Sequence, residues 1–572
     1  MWIRSSNPLH HLSTRRTPGF RHGLLALTLL LGLAFSASAG EGPYQGYLEA
    51  AYVADAPGAA VIVVRDGEVL FRGARGMASM ELGVALEPEH VFRLGSITKQ
   101  FTAVAVLQLV EQGKIALDDP ITRFVPDYPT HGHEITVAQL LTHTSGISNY
   151  TNIPGYMGDE RIRRDLSTEE LVDVFDELEM DFEPGERWSY SNSGYVLLGA
   201  IIEEASGMPY SEYVEKHLFE PLGLEDSHYG GPQLVERRVE GYNGAPGQIA
   251  NAPFLSMTQP HAAGSLLSTV DDLARWNAAL FGGEVLSAET LEAMTTKVVL
   301  ADDTTFDYGY GFQLGDFRGE PIVHHGGGIP GFVTNALWLP ESKVYVAVLS
   351  NWPEHPVGPT RLARQMAAAA MGKPFPTHVP IEVDAETLQS YVGTYRIDDE
   401  STRAVVFEGG KLFTQRSGGP RFEVLAHAED AFYYPQTFTH LTFERDASGA
   451  VTAMHMFHDG GDEAEVASRI ADDEAPAVPE RETAQVSPEI YDLWAGVYEI
   501  RPGFELTIRR EEDRLISQAT GQPPFELHPA SLHRYFVKEF PAELEFEPGD
   551  DGRAKSVTLH QGGQEIPATR ID

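Results

Sequence analysis

From Gly58 to Val64 the chain is an almost unbroken apolar run, and a second runs from Val69 to Gly73, with Asp66-Gly67 between them. Short apolar runs flanking Asp-Gly read as two strands of a hairpin, because this dipeptide suits the left-handed backbone of a tight reversal. The period then changes. Phe101, Val104, Leu107, Leu109 and Val110 recur at helical spacing between Ser96 and Gln112, and Gly113 is a natural stop. Further helices are predicted from Gly194 to Ala205, ahead of Gly207, and from Thr269 to Leu280. Ala336–Leu339 and Val344–Ser350 then read as paired strands. Helices packed on a central antiparallel sheet, an α/β (α+β) fold, fit this order.

The pattern shifts near Gly372-Lys373-Pro374, where Pro374, Pro376 and Pro380 mark a linker. Beyond it the chain is strand-rich and repeats itself. Tyr391-Val-Gly393-Thr-Tyr395 returns as Trp494-Ala-Gly496-Val-Tyr498, and Gln415, Phe422, Phe443 and Gly449 return as Gln518, Phe525, Phe546 and Gly552, each offset by 103 positions. His458 and Gly460-Gly461 return as His560 and Gly562-Gly563 at an offset of 102. Alternating segments such as Lys411–Gln415 and Leu441–Glu444 suit barrel or sandwich strands. The expected layout is a first domain over 40–373, a small β domain over 384–471, an acidic, proline-bearing linker over 472–488 and a second β copy over 489–572. The repeats are read as braces or as a dimer contact, from which a loop could reach the cleft and set specificity.

The chain has 572 residues and a formal net charge of −41, which disfavours nucleic acid and anionic lipid as partners. There is no cysteine, so disulfides, thiol nucleophiles and thiolate metal sites are excluded. Arg15, Arg16 and Arg21 precede an apolar run from Leu24 to Phe35 and then Ser36-Ala37-Ser38-Ala39. This is the pattern of a cleavable signal peptide over 1–39, cut after Ala39, and it predicts a periplasmic or secreted protein free of the membrane after cleavage.

Three strings carry candidate chemistry. In Ser96-Ile97-Thr98-Lys99 a serine at a helix start has a lysine one turn on, on the same face. Serine needs a base, and lysine serves as one only if burial or a neighbouring cation lowers its pKa. Y-x-N occurs as Tyr150-Thr151-Asn152, in a polar loop, and as Tyr190-Ser191-Asn192, at a loop-to-helix junction in Pro184–Tyr195. The second is chosen, with Tyr190 as a proton carrier beside Lys99. The third string is His325-Gly326-Gly327-Gly328, just before a strand, where glycines let backbone approach a ligand. The backbone N–H groups of Ser96 and Gly328 are the candidate oxyanion hole.

In this order the three strings resemble the motif set of the penicillin-recognising serine enzymes: class C β-lactamases, D,D-peptidases, D-aminopeptidases and related esterases. The resemblance runs from Gly58 to Ser350 and includes Leu140–Gly146 and Ala262–Thr269, which look like framework, with His143 structural. It implies a sheet beside a helical lobe with the site between them. It also implies an acyl-enzyme on Ser96, acid/base work by Lys99 and Tyr190, and substrate binding by Asn192, His325 and Gly327, with Asn192 steadying Lys99 and His325 orienting Tyr190. No metal or cofactor is implied. The β-lactamase pattern usually has lysine where His325 stands. A largely neutral histidine there weakens the case for carboxylate-bearing substrates and points to the D-aminopeptidase and esterase branches. The expected function is hydrolysis of a small peptide, amide or ester. Esterase and β-lactamase are alternatives within the family, and a non-catalytic cell-wall or peptide-binding module is the alternative outside it. Oligomeric state, a homodimer included, stays open.

Overall fold

The structure is a computed structural model that describes residues 42–571 apart from short internal stretches, the longest being 472–482. The expected export segment 1–39, most of the 472–488 linker and the pair Gly562-Gly563 lie outside the described residues.

The first domain opens with helix α1 (Tyr44–Ala51) and the hairpin β1 (Ala59–Arg65) and β2 (Glu68–Arg75). Asp66 and Gly67 take φ of 50° and 79° at its tip, the conformation that Asp-Gly tolerates. Next come α2 (Thr98–Glu111), α3 (Asn192–Ser206), the single turn α4 (His261–Gly264) and α5 (Val270–Phe281). Strands β3 (Gln313–Phe317), β4 (Glu320–Ile329), β5 (Phe332–Leu339) and β6 (Val344–Ser350) and helix α6 (Pro359–Ala370) complete the domain. The sheet is antiparallel in the order β3-β4-β5-β6-β1-β2. It is covered on both faces, so β1 and β6 read as continuous apolar runs rather than as alternation.

The predicted helices fall within a few residues of the observed ones. Ser191 and Thr269 cap α3 and α5 with their side chains, and Gly207 ends α3 in the left-handed conformation. His325-Gly326-Gly327-Gly328 precedes strand β5, as expected, and is itself the last part of β4. Glycine is a weak strand former, but pairing along the whole length of β5 holds the segment extended.

That pairing positions the site. Strand β3 covers β4 only as far as His324, leaving 325–329 as an edge without a neighbouring strand. Ile329 and Phe332 pair across the two-residue turn Pro330-Gly331, so the alternation of an antiparallel ladder turns the N–H groups of Gly326 and Gly328 outward, away from β5.

The chain after α6 forms two closed eight-stranded antiparallel barrels, from Gly393 to Ile470 and from Gly496 to Arg570. Their repeat is physical: the Tyr395 hydroxyl donates to Tyr391 O at 2.7 Å and that of Tyr498 to Trp494 O at 2.6 Å, the same bond in each copy. The first barrel docks on the α6 side of the sheet. Phe375 stacks on Phe438 at 3.7 Å, Arg361 donates to Pro435 O at 2.9 Å and Arg318 to Gly460 O at 2.9 Å.

Candidate active site

Ser96 lies in the single 3-10 turn Gly95–Ile97, which runs directly into α2. Gly95 has φ +57°, and a Cβ there would stand 2.9 Å from the Gly328 nitrogen. Only glycine meets both demands, and they press the turn against the open edge of β4. A Cβ on Gly327 would lie 1.9 Å from Leu94 O, whereas one on Gly328 would meet nothing within 4 Å. Gly327 is therefore a packing requirement, and Gly328 borders open space. The outward N–H of Gly328 and the N–H of Ser96 belong to two backbone segments in contact, the arrangement a pair of oxyanion donors needs.

Lys99, on the first turn of α2, is fully buried. Its Nζ lies 3.3 Å from Ser96 Oγ, 2.8 Å from Asn192 Oδ1 and 2.9 Å from Ala263 O. Among the described residues no ion pair to Lys99 is seen, and burial drives its pKa well below the ordinary lysine value. A neutral amine has two N–H bonds and one lone pair. Asn192 Oδ1 and Ala263 O can only accept, so they take the two N–H bonds, and the lone pair is left facing the Ser96 hydroxyl.

Tyr190 sits on the extended segment before α3, with its ring 4.7 Å from Lys99 Nζ. Its hydroxyl hydrogen-bonds the Ser96 side chain, a contact that favours the phenolate, but burial outweighs it and raises the pKa, so the resting group is a protonated phenol. Ser96, Lys99, Tyr190 and Asn192 thus meet at one place from positions 96 residues apart in the chain.

Other expectations are redirected. His325 is 2% exposed, with Nε2 3.0 Å from Tyr308 Oη and Nδ1 2.6 Å from Gly326 O. Both ring nitrogens are occupied inside the seam between strand and lobe, which leaves none for a substrate. Burial, reinforced by Lys99, lowers its pKa to about 3. Its ring stands 6.2 Å from that of Tyr190, whereas the ring of His143 is closer, at 4.3 Å. Asn192 holds Lys99 as expected, but its Nδ2 donates to Thr151 Oγ1 at 3.2 Å rather than facing open space. Tyr150 is buried in a 3-10 turn rather than a polar loop and donates to Gln259 O at 2.6 Å.

Four contributors escaped the motif reading: Gly95, Thr151, the Ala263 carbonyl and Tyr308. A glycine immediately before the serine was the one visible signal among them. A backbone carbonyl carries no residue-type signature, and Thr151 and Tyr308 gain meaning only through the fold.

Comparison with known proteins agrees with this geometry. The family model described as Beta-lactamase matches residues 48–371, more than half the chain. A second, described as a domain of unknown function (DUF3471), matches twice, at 377–470 and 480–570. A penicillin-binding protein of Bacillus subtilis is 27% identical over 434 residues, covering 72% of this chain and 94% of the relative. A D-aminopeptidase of Gluconobacter oxydans is 28% identical over 352 residues, 59% of this chain and 63% of the relative. The solved structure of a D-stereospecific amidohydrolase from Streptomyces sp. superposes with a TM-score of 0.50 at 30% identity, covering 57% of this chain and 97% of that one. The chain therefore belongs to the Beta-lactamase family and is a serine hydrolase of that family, with two further β-barrel domains.

Proposed function

We propose that this protein cleaves an amide bond through an acyl-enzyme on Ser96, with D-amino-acid amides as its substrate class. The observation that carries the mechanism is the position of the buried Lys99 Nζ, 3.3 Å from Ser96 Oγ and held from behind by Asn192 Oδ1 and Ala263 O. As Oγ bonds to the acyl carbon, its proton passes to Lys99. The oxygen of the tetrahedral intermediate takes up the negative charge beside the Ser96 and Gly328 N–H groups. The carbon–nitrogen bond breaks as Tyr190 gives its proton to the departing amine, and the Lys99 ammonium restores the proton on Tyr190. Water then attacks the ester, giving a proton to the same pair, and Ser96 regains its hydrogen.

The substrate class rests on charge and on resemblance. His325 is neutral where a fixed cation would grip a carboxylate, so a leaving group without a carboxylate fits better than a β-lactam or a peptide ending in D-alanine. The D-aminopeptidase and D-stereospecific amidohydrolase relatives support amides, and an ester of the same acid is the alternative. Export to the periplasm or medium is part of the proposal and rests on the pattern of residues 1–39.

The test is a fluorophosphonate probe on wild type and Ser96→Ala, followed by a panel of D- and L-amino-acid anilides, p-nitrophenyl esters and nitrocefin. Labelling of wild type alone, with D-anilides turned over fastest, is expected. Labelling of neither protein overturns the reading in favour of a binding module, and preference for nitrocefin overturns the substrate class.

A further inference from the structure

Tyr308 is absent from every motif, fully buried, and placed between two histidines of opposite walls of the cleft. Its hydroxyl lies 3.2 Å from His143 Nε2 and 3.0 Å from His325 Nε2. The direction of each bond follows from its ends. The backbone N–H of Ser191 donates to His143 Nδ1 at 3.1 Å, so that nitrogen carries no hydrogen. Neutral His143 therefore holds its proton on Nε2 and donates it to Tyr308 Oη. At the other end His325 Nδ1 lies 2.6 Å from the carbonyl of Gly326, which can only accept, so Nδ1 carries the proton. His325 Nε2 is then a bare acceptor and takes the hydrogen of Tyr308. The Tyr195 hydroxyl, whose own proton goes to Leu141 O at 2.8 Å, also accepts from Tyr308 and so shares the Tyr308 hydrogen with His325 Nε2.

Every link thus runs one way: Ser191 N–H to His143, His143 to Tyr308, Tyr308 to His325, His325 to Gly326. The first member is the residue after Tyr190; the last is two residues before Gly328. The tyrosine hydroxyl is the one group in this chain that both accepts and donates by rotating a single bond. Among the described residues none of these bonds reaches Ser96, so the work of the chain is spacing rather than chemistry.

We propose that Tyr308 is a positioning residue, the hydroxyl of a one-directional hydrogen-bond chain that sets the distance between the proton-carrying phenol of Tyr190 and the oxyanion donor at Gly328. This rests on the acyl-enzyme reading above. Removing the hydroxyl leaves one donor and one acceptor facing each other across a gap too wide for a direct bond. Buried polar groups without partners shift to find new ones. The walls then drift, and small displacements of catalytic groups are costly because the transition state is bound by their spacing.

The experiment compares wild type and Tyr308→Phe in the full chain, using the fastest substrate of the panel. A fall in kcat of at least tenfold is expected, with KM within about threefold, since ground-state binding does not use the chain. Histidine ring ¹⁵N spectra of the wild type give a second readout that does not depend on the variant folding. His143 should be protonated on Nε2 alone and His325 on Nδ1 alone, both neutral. An unchanged kcat in Tyr308→Phe, a rise in KM alone, or a wild-type His325 protonated on Nε2 overturns the proposal. Wild type without probe labelling overturns the acyl-enzyme reading instead, so the two failures are told apart.

Discussion

The two faces of the central sheet are built from alternate residues of the same strands, yet they bury opposite kinds of group. On one face Ala59, Val61 and Val63 of β1 and Val344, Val346 and Val348 of β6 meet Leu48 and Tyr52 of the α1 segment and Leu362, Ala363 and Met366 of α6. That layer is almost wholly apolar. On the other face Ala60, Ile62, Ala347 and Leu349 meet the helical lobe, and within that packing lie Lys99, His143 and His325 and the phenols of Tyr195 and Tyr308. Burial of apolar surface stabilises both faces. On the lobe side the same burial also strips water from titratable groups and moves their pKa values toward the neutral forms. The difference teaches that one face is organised for stability, while the other gives up some stability to prepare a base and a rigid hydrogen-bonded frame.

That contrast can be broken at several points. The largest effect is expected from Lys99→Met. Loss of the base should lower kcat/KM by about 10³-fold, within the range usual for general acid–base groups. The apolar replacement of similar length should raise the melting temperature, because a buried amine no longer has to be desolvated. Thermal unfolding beside steady-state kinetics checks both halves, and a fall in melting temperature would contradict the picture of a costly buried amine. On the opposite face Leu362→Ala should destabilise by about 2–5 kcal/mol through cavity formation. Its kcat/KM per folded molecule should stay within about twofold of wild type. Denaturant unfolding and active-site titration separate the two, and a kinetic loss equal to that at Lys99 would erase the division between the faces.

The smallest effect is one of acid. His261 and His325 have pKa values lowered to about 4 and about 3 by burial, against an ordinary value of 6.5. The unfolded chain therefore binds more protons between these limits, so stability falls as the pH drops below 6.5 and levels off only near the folded values. At pH 5 each group should cost about 2 kcal/mol relative to pH 7. Urea unfolding at the two pH values measures it, and replacing His325 by Gln should remove one such increment.

Much of this was legible along the chain because it is written in local signals. The hairpin at Asp66-Gly67, the stop at Gly207 and the caps at Ser191 and Thr269 each depend on neighbours within a few residues. The three motif strings likewise named Ser96, Lys99, Tyr190 and Asn192, which do meet. His325 shows the limit. Its identity marked the position, but its direction was set by Tyr308 and by the outward carbonyl of Gly326, neither of which a string search weighs. The same holds for the Ala263 carbonyl on Lys99, since any residue type could supply it.

By itself the amino-acid order determined where strands and helices begin, that a β unit occurs twice, and which side chains were able to do chemistry, because periodicity, turn preference and side-chain type are properties of short stretches. Only the folded chain decided which of those side chains lose their water, which carbonyls oppose them and which way each hydrogen points. Those depend on groups brought together from remote positions, and a buried amine or imidazole takes its protonation state from all of its neighbours at once.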